Sequence, residues 1–485
     1  MAGTKIRKAS LSQKMGETYF YMGHLKKAIK ILEETLKFLN FQTTPNAKPV
    51  LIFHLILETI VQNMHFAFPS VFKNDSQKNN ERYIIAVRTC LRLSYCYLYV
   101  DLMKAILVEL RSVNMVDKMK GTREYAYVYI LQVPMYACAP MFALGERYIK
   151  EGIRASLEIK DKLMEGFAYI YQSMLKYGEN QLDEAIKVGN NGTDIVLPLG
   201  ERWDVTIGYA FPCFSHYMKG EPQLMLKAAE NLRAAAEPAD DMRSRGRPLY
   251  FIGRALMMTN EVTPELIKKM EYVVEVEKKV KEDTFIAMGL VGVTLAYFRM
   301  GELDHAIQAG EEGVKTLLNA AAPGFWASDI FGFTALVYLK KLEQAGIDEK
   351  TRREYLKRAE FLCQHAKTWA KKYKVYTGLA CRAQGKYLWM LGNKKEAVKN
   401  FEKGIQFLEA HKYRYELALT LLELGRLLYS GGHPELQNQE KGKALLMKAK
   451  ELFKEIGAAP DLKELNQVLG AAGQPVGPAQ MQGQR

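Results

Sequence analysis

The sequence predicts an all-α fold, a solenoid built from repeated antiparallel helix pairs, and three observations carry that expectation. Prolines are few and scattered, 16 in 485 residues, which suits long helices with few irregular loops. The chain is also longer than one compact core supports, about 250–300 residues, so it is an elongated array or several domains. The third observation is a recurring break between apolar periodic segments. It reads MGHLKKA at 22–28, YGENQLDEA at 177–185, KGEPQL at 219–224, MGELDHA at 300–306 and LGNKKEA at 391–397. A glycine in the left-handed conformation ends one helix and the polar residues after it open the next. The glycines at 178, 220, 301 and 392 lie 42, 81 and 91 residues apart, which suggests a unit of about 40 residues with irregular insertions.

Within each unit, small residues sit where two helices must approach closely. Gly16 is followed by Tyr19, Ala28 and Leu32, and Gly385 by Leu388, Ala397 and Phe401 at the same offsets. Glycine inside a helix costs about 1 kcal/mol against alanine, so a partner helix crossing over it is the reason to expect. A last unit keeps Gly425, Leu428, Leu446 and Ala449 but stretches its turn with residues 431–439. In the middle, Thr294, Tyr297, Ala306 and Gly313 fit, as do Ser173, Ala185 and Gly192, although Lys176 replaces an apolar residue. The spacing resembles the tetratricopeptide pattern. The fold class is therefore all-α, a tetratricopeptide-like α-solenoid of about twenty helices. Its expected organisation is N-terminal repeats over 1–225, more basic C-terminal repeats over 226–469, and a Gly/Pro/Gln-rich disordered tail over 470–485.

Composition excludes several function classes. With 48% hydrophobic and 25% charged residues the chain is that of an ordinary soluble protein. Its six cysteines form no CxxC and lie among apolar helical residues, so they read as buried free thiols of a cytoplasmic protein. The eight histidines are dispersed, and neither a metal nor a cofactor is expected. The basic N-terminus lacks the apolar run of a secretory leader. Residues 125–145 are uncharged and long enough to span a bilayer, but Pro134 and Pro140 favour two short buried helices. His54, Glu58 and His65 interrupt the apolar stretch 51–69, and no membrane partner is expected.

Four segments carry a further resemblance: RLSYCYLYVD (92–101), ALGERYIKEGIRASLEI (143–159), GERWD (200–204) and AVKNFEKGIQFLE (397–409). They resemble the C-terminal helical arm of large bacterial signalling proteins, in which a kinase or nucleotide cyclase domain and a STAND-type ATPase precede tetratricopeptide-like repeats. The terminal KALLMKAKELFKEIGAAPDL (443–462) looks like the end of such an arm. The resemblance implies a sensor or interaction arm. The sequence contains no GxxxxGK[ST] phosphate loop and no HRD or DFG kinase segment, so no catalytic residues are assigned and the chain is not expected to be an enzyme.

Charge supplies the candidate site. The formal net charge is +14, and residues 351–456 hold 22 Lys and Arg against 11 Asp and Glu. KTWAKKYKVY (367–376) and HKYRY (411–415) interleave basic and aromatic residues. That pattern suits an acidic protein segment, a nucleic-acid strand with stacked bases, or a solvated edge with partly buried tyrosines. Tetratricopeptide geometry places Arg382, Lys386 and Trp389 of one unit, and Leu422, Arg426 and Tyr429 of the next, on the concave face. The equivalents in the first unit are Gln13, Glu17 and Phe20. The expected partner-binding residues are thus Arg382, Lys386, Trp389, Arg426 and Tyr429, with Arg382 and Lys386 jointly holding a carboxylate or phosphate. Trp203 and the Phe211–Pro212 pair suggest packing or a pocket, and Met218 through Met225 with Met257 and Met258 suggest adaptable core. The functional expectation is a scaffold or sensor arm that binds a protein segment in its groove. The alternatives are a small-ligand sensor, which needs a closed aromatic pocket, and an RNA-binding repeat protein.

Overall fold

The structure, a computed structural model, describes residues 2–22, 24–98, 100–200, 203–237, 242–430 and 439–471. Among the described residues it contains 23 α-helices and no strand. The chain begins with an antiparallel pair, α1 (Ala2–Tyr21) and α2 (Leu25–Phe38). An insertion follows, α3 (Lys48–Ala67) and the single turn α4 (Pro69–Phe72). Pairing resumes with α5 (Glu81–Leu98) and α6 (Leu102–Val116), α7 (Arg123–Cys138) and α8 (Phe142–Glu158), α9 (Lys162–Gly178) and α10 (Leu182–Val196). Next come α11 (Trp203–Lys219) and α12 (Pro222–Ala236), α13 (Met242–Thr259) and α14 (Pro264–Val280), α15 (Asp283–Met300) and α16 (Leu303–Asn319). The array ends with α17 (Asp329–Lys341) and α18 (Glu349–Lys372), α19 (Thr377–Met390) and α20 (Lys394–Ala410), α21 (Arg414–Ser430) and α22 (Gln439–Ile456), and a closing helix α23 (Ala459–Ala471). The expected division at 225/226 falls inside α12, which packs on both α11 and α13.

The helix boundaries follow from local chemistry. Asp101, Thr122, Asp161, Thr263 and Asp348 each cap a helix start by accepting a backbone N–H from the first turn. Gly220, Gly301 and Gly392 adopt positive φ at the ends of α11, α15 and α19, as the repeated breaks require. At YGEN the left-handed residue is Asn180, φ 70°, while Gly178 stays helical. Asparagine tolerates that region through its short polar side chain. Gly23 lies outside the described residues.

The small positions do what their spacing implies. A Cβ on Gly16 would stand 2.6 Å from Leu32, on Gly385 2.7 Å from Phe401, and on Gly425 2.9 Å from Leu446. Ser173 uses its hydroxyl instead, donating to the Ala185 carbonyl at 2.7 Å across the α9–α10 pair. One core cluster runs from Val87 to Leu465, and a smaller one joins α1, α2, α5 and α6. The uncharged stretch after Arg123 is core: Tyr125, Tyr129 and Ile130 are fully buried. It is divided between two helices as expected, with Pro134 inside α7 and Pro140 between α7 and α8. Met225, Met257 and Met258 are buried among these helices. The tail 472–485 and the insertion 431–438 lie outside the described residues.

Gly192 gives the strongest test of this packing. A Cβ there would sit 2.8 Å from both the Gly166 carbonyl oxygen and the Ile170 amide nitrogen, backbone atoms of α9 that cannot swing aside. Gly192→Ala is expected to destabilise by roughly 1–3 kcal/mol, read as a lower urea midpoint with unchanged helicity.

Candidate functional site

The first helices of successive pairs, α7 through α21, line the inner side of the array, each touching the next. The array winds until α21 reaches α11 and α23 reaches α13. Hydrogen bonds fasten this closure. The Tyr373 hydroxyl donates to the Cys138 carbonyl at 2.6 Å, and Arg414 donates to the carbonyls of Lys219 and Gly220 at 3.2 and 3.3 Å. The Tyr413 hydroxyl donates to Asn180 Oδ1. Arg299 bridges the Tyr415 hydroxyl at 2.8 Å and Asp461 at 3.0 Å.

Aromatic rings fill the axis so formed. Phe325 stacks on Tyr373 with centroids 4.6 Å apart and on Tyr177 at 5.9 Å, and Phe211 packs against both Phe325 and Trp326. Arg254 lies over Tyr217 at 4.1 Å and pairs with Asp329 at 3.4 Å, fully enclosed. Among the described residues, two cavities of about 10 and 20 Å³ lie here, bordered by Tyr217, Met218, Asp329 and Tyr376. A water needs about 10–15 Å³, so each of these two cavities has room for little more than a single water. Phe211 belongs to that filling, and the Trp203 side chain lies outside the described residues.

Of the five sequence-predicted residues, Arg382, Lys386 and Arg426 lie at the C-terminal end of this inner side, where Lys386 and Arg426 share two carboxylate partners. Arg382 is buried and grips Glu416 with two hydrogen bonds, Nε at 2.7 Å and a terminal nitrogen at 3.0 Å. Lys386, 3% exposed, holds Glu343 at 2.9 Å and Glu423 at 3.0 Å. Arg426 reaches the same two carboxylates at 3.1 and 2.8 Å. Trp389 and Tyr429 are half-buried, Trp389 against Phe401, Leu424 and Leu428 with the Lys394 ammonium 5.1 Å from its ring centroid. Arg382 and Lys386 thus each hold a carboxylate, and those carboxylates belong to neighbouring inner helices.

Their electrostatics match this pairing. Burial raises the Glu423 carboxyl, but Lys386 and Arg426 outweigh it and hold the group far below the carboxylate range. Glu343 is lowered by the same two cations against the same penalty. Residues one unit on from each cation supply the counter-charge, Glu416 for Arg382 and Glu423 for Lys386. That spacing is visible in the sequence, yet it acquires meaning only once adjacent inner helices are known to touch.

The interleaved basic and aromatic stretches separate by side. Tyr373, Tyr376, Tyr413 and Tyr415 are buried in the axis, whereas Lys367, Lys371, Lys374 and Lys412 are exposed. These four tyrosines are therefore not available to stack on bases, and Trp369 is half-buried against Tyr373. Lys367 and Lys371 on α18 and Lys403 on α20 carry no ion pair among the described residues. Lys367 and Lys403 both lie close enough to Cys381 to draw its pKa down against burial. These three lysines stand exposed on the outer helices α18 and α20.

The remaining reactive groups are quiet. All six cysteines are free, and five are buried. Burial pushes the thiols of Cys90, Cys96, Cys138 and Cys363 up to about 12, far from the thiolate a nucleophile needs. Among the described residues no group of three or more His, Cys, Asp or Glu is placed to hold a metal ion.

Fold and inner face together define a tetratricopeptide-like helical-repeat protein. No family model matches the chain, and no curated protein matches it. Among solved structures it is similar to a Rap protein complexed with Competence and Sporulation Factor, at 12% identity over 76% of this chain and 98% of that one, TM-score 0.55. A STAND protein with a tetratricopeptide repeat sensor from Pyrococcus horikoshii aligns at 14% identity over 82% of this chain and 53% of that one, TM-score 0.41. The human IFIT1 dimer with m7Gppp-AAAA aligns at 12% identity over 86% and 94%, TM-score 0.44. The Rap superposition shows a shared repeat fold.

Two outcomes follow from the inner ion pairs. Arg382→Ala and Glu416→Gln each leave a buried charge unmatched and are expected to destabilise by about 3 kcal/mol. The double variant should lose clearly less than the sum of the two, as read by urea unfolding. Glu343 and Glu423 titrate below the ordinary 4.5, so their contribution is complete above that pH and lost as pH falls beneath it. Wild type should therefore lose more stability than Glu423→Gln on acidification below pH 4.5.

Proposed function

We propose that the chain is a non-catalytic scaffold or sensor arm that binds an acidic protein segment, acting within or beside a signalling ATPase, kinase or cyclase assembly. One observation carries this reading: positive charge inside the array is matched by Glu343, Glu416 and Glu423, whereas Lys367, Lys371 and Lys403 stand exposed outside without carboxylate partners. A segment lying along the inner face at this end would have to displace aromatic packing and buried ion pairs, so the partner docks on the outer face of α18 and α20. Charge sets its encounter rate there, and the partly buried rings and lysine stems beneath supply contact area. The Rap protein complexed with Competence and Sporulation Factor lends support, as an array of the same fold that holds a partner.

The test uses fluorescence anisotropy with a labelled oligoglutamate peptide and an oligouridine of similar length. Replacing Lys367, Lys371 and Lys403 with glutamine should weaken peptide binding about tenfold, given up to about 1 kcal/mol per exposed pair. Replacing Lys5, Lys8 and Lys14 of α1 makes the same change in net charge and should leave binding nearly intact. Equal loss in both variants, or oligouridine binding that exceeds the peptide's at moderate salt, would overturn the reading.

A further inference from the structure

Helix α3 wears its amphipathicity inside out. Its inward side is largely polar: Glu58 pairs with Arg111 at 3.2 Å and accepts from Asn114 at 2.7 Å. His65 shares a 2.6 Å hydrogen bond with Asp117, whose other oxygen accepts from the Tyr129 hydroxyl at 2.6 Å. The outward side is apolar. Nine large apolar side chains from Val50 to Val71 are 42–64% exposed. At roughly 150–200 Å² per complete side chain they present on the order of 800 Å², more than the 300–600 Å² of the largest patch on a typical monomer. No exposed charge interrupts the face between Lys48 and Lys73, since Glu58, the one charged residue in that span, is turned inward onto Arg111.

We infer that this face is the interface of a symmetric dimer, α3 packing on α3 of a second copy. The area matches the roughly 800 Å² per partner of a stable interface. The geometry also fits: Ile52, Ile56, Ile60 and Met64 form one uninterrupted ridge at four-residue spacing along α3. Such ridges interdigitate with their own kind when two helices cross. Asn63 is exposed near the middle of the face, beside Ile60 and Met64. In a lipid phase its amide would lose its hydrogen bonds to water at a cost. Beside a two-fold axis it meets its own copy, donor to acceptor. In an antiparallel crossing, exposed Lys48 at one end of α3 lies opposite exposed Asp75 beyond the other end. A self-complementary surface therefore explains both the apolar ridge and the polar residues at its centre and ends.

Sedimentation of the full chain and oxidative cross-linking test this. Wild type should sediment as a dimer at micromolar concentration, and Ile56→Glu/Ile60→Glu should raise the dissociation constant about 100-fold or more with unchanged circular dichroism. Asn63→Cys should form a covalent dimer under mild oxidation, which wild type does not because its own cysteines are buried or half-buried. A wild type that stays monomeric, with Asn63→Cys uncross-linked, would overturn the inference. So would a monomer that binds phosphatidylcholine/phosphatidylserine vesicles and loses them in the glutamate variant, which would assign the face to lipid.

Discussion

The constraint on which the structure depends is the neutralisation of cations that the fold places on its inner face. Arg254, Arg299, Arg382 and Lys386 project toward a narrow, ring-filled axis, where Arg254, Arg382 and Lys386 are buried and Arg299 is half-buried. Each is held by a carboxylate from elsewhere in the array: Asp329, Asp461, Glu416, and Glu343 in the turn after α17 with Glu423. A buried charge left unmatched costs several kcal/mol, so these pairs fix which helices may be neighbours. Arg299–Asp461 ties α15 to the closing helix, and Arg382–Glu416 ties α19 to α21. The winding of the array is thus specified by charge as well as by the close contacts at Gly16, Gly385 and Gly425.

Basic residue type divides along the same line. The innermost cations are mainly arginines, whose planar, permanently charged guanidinium can grip a carboxylate with two hydrogen bonds and lie flat on a ring. Arg382 does the first and Arg254 the second. The unmatched exposed cations of α18 and α20 are lysines, whose flexible, well-hydrated heads suit solvent. Lys386 departs from the pattern and meets the cost with two carboxylates instead of one. The basic charge of the C-terminal units is therefore two populations, one matched by carboxylates inside the array and one exposed on α18 and α20.

The repeat was legible because its signals are local. Glycine at a helix end and small residues at fixed spacing need only their own helix pair, and they placed the units around Gly16, Gly385 and Gly425. The site was less legible because its geometry depends on contacts far apart in sequence. Tyr373 meets Cys138, and Arg414 meets Lys219, through the winding of the whole array. Knowledge that Arg382 and Lys386 lie on an inner helix face could not say whether that face was open. The tyrosines of 367–376 and 411–415 illustrate the same limit: alternation with lysine marks a surface edge, but only the closed axis explains why the rings are wholly buried.

The insertion at α3 shows where sequence patterning misleads in a more instructive way. His54, Glu58 and His65 interrupt an apolar stretch, and the ordinary reading turns such residues outward to water. Here Glu58 and His65 turn inward, because the surface awaiting them offers Arg111, Asn114 and Asp117 rather than apolar side chains. Once those partners claim the polar side, a helix has no choice about the rest: Ile52, Ile56 and Ile60 must face out. Exposed apolar residues at four-residue spacing are then a consequence of buried polar pairing, and the same sequence that anchors α3 to α6 obliges its opposite side to find cover elsewhere.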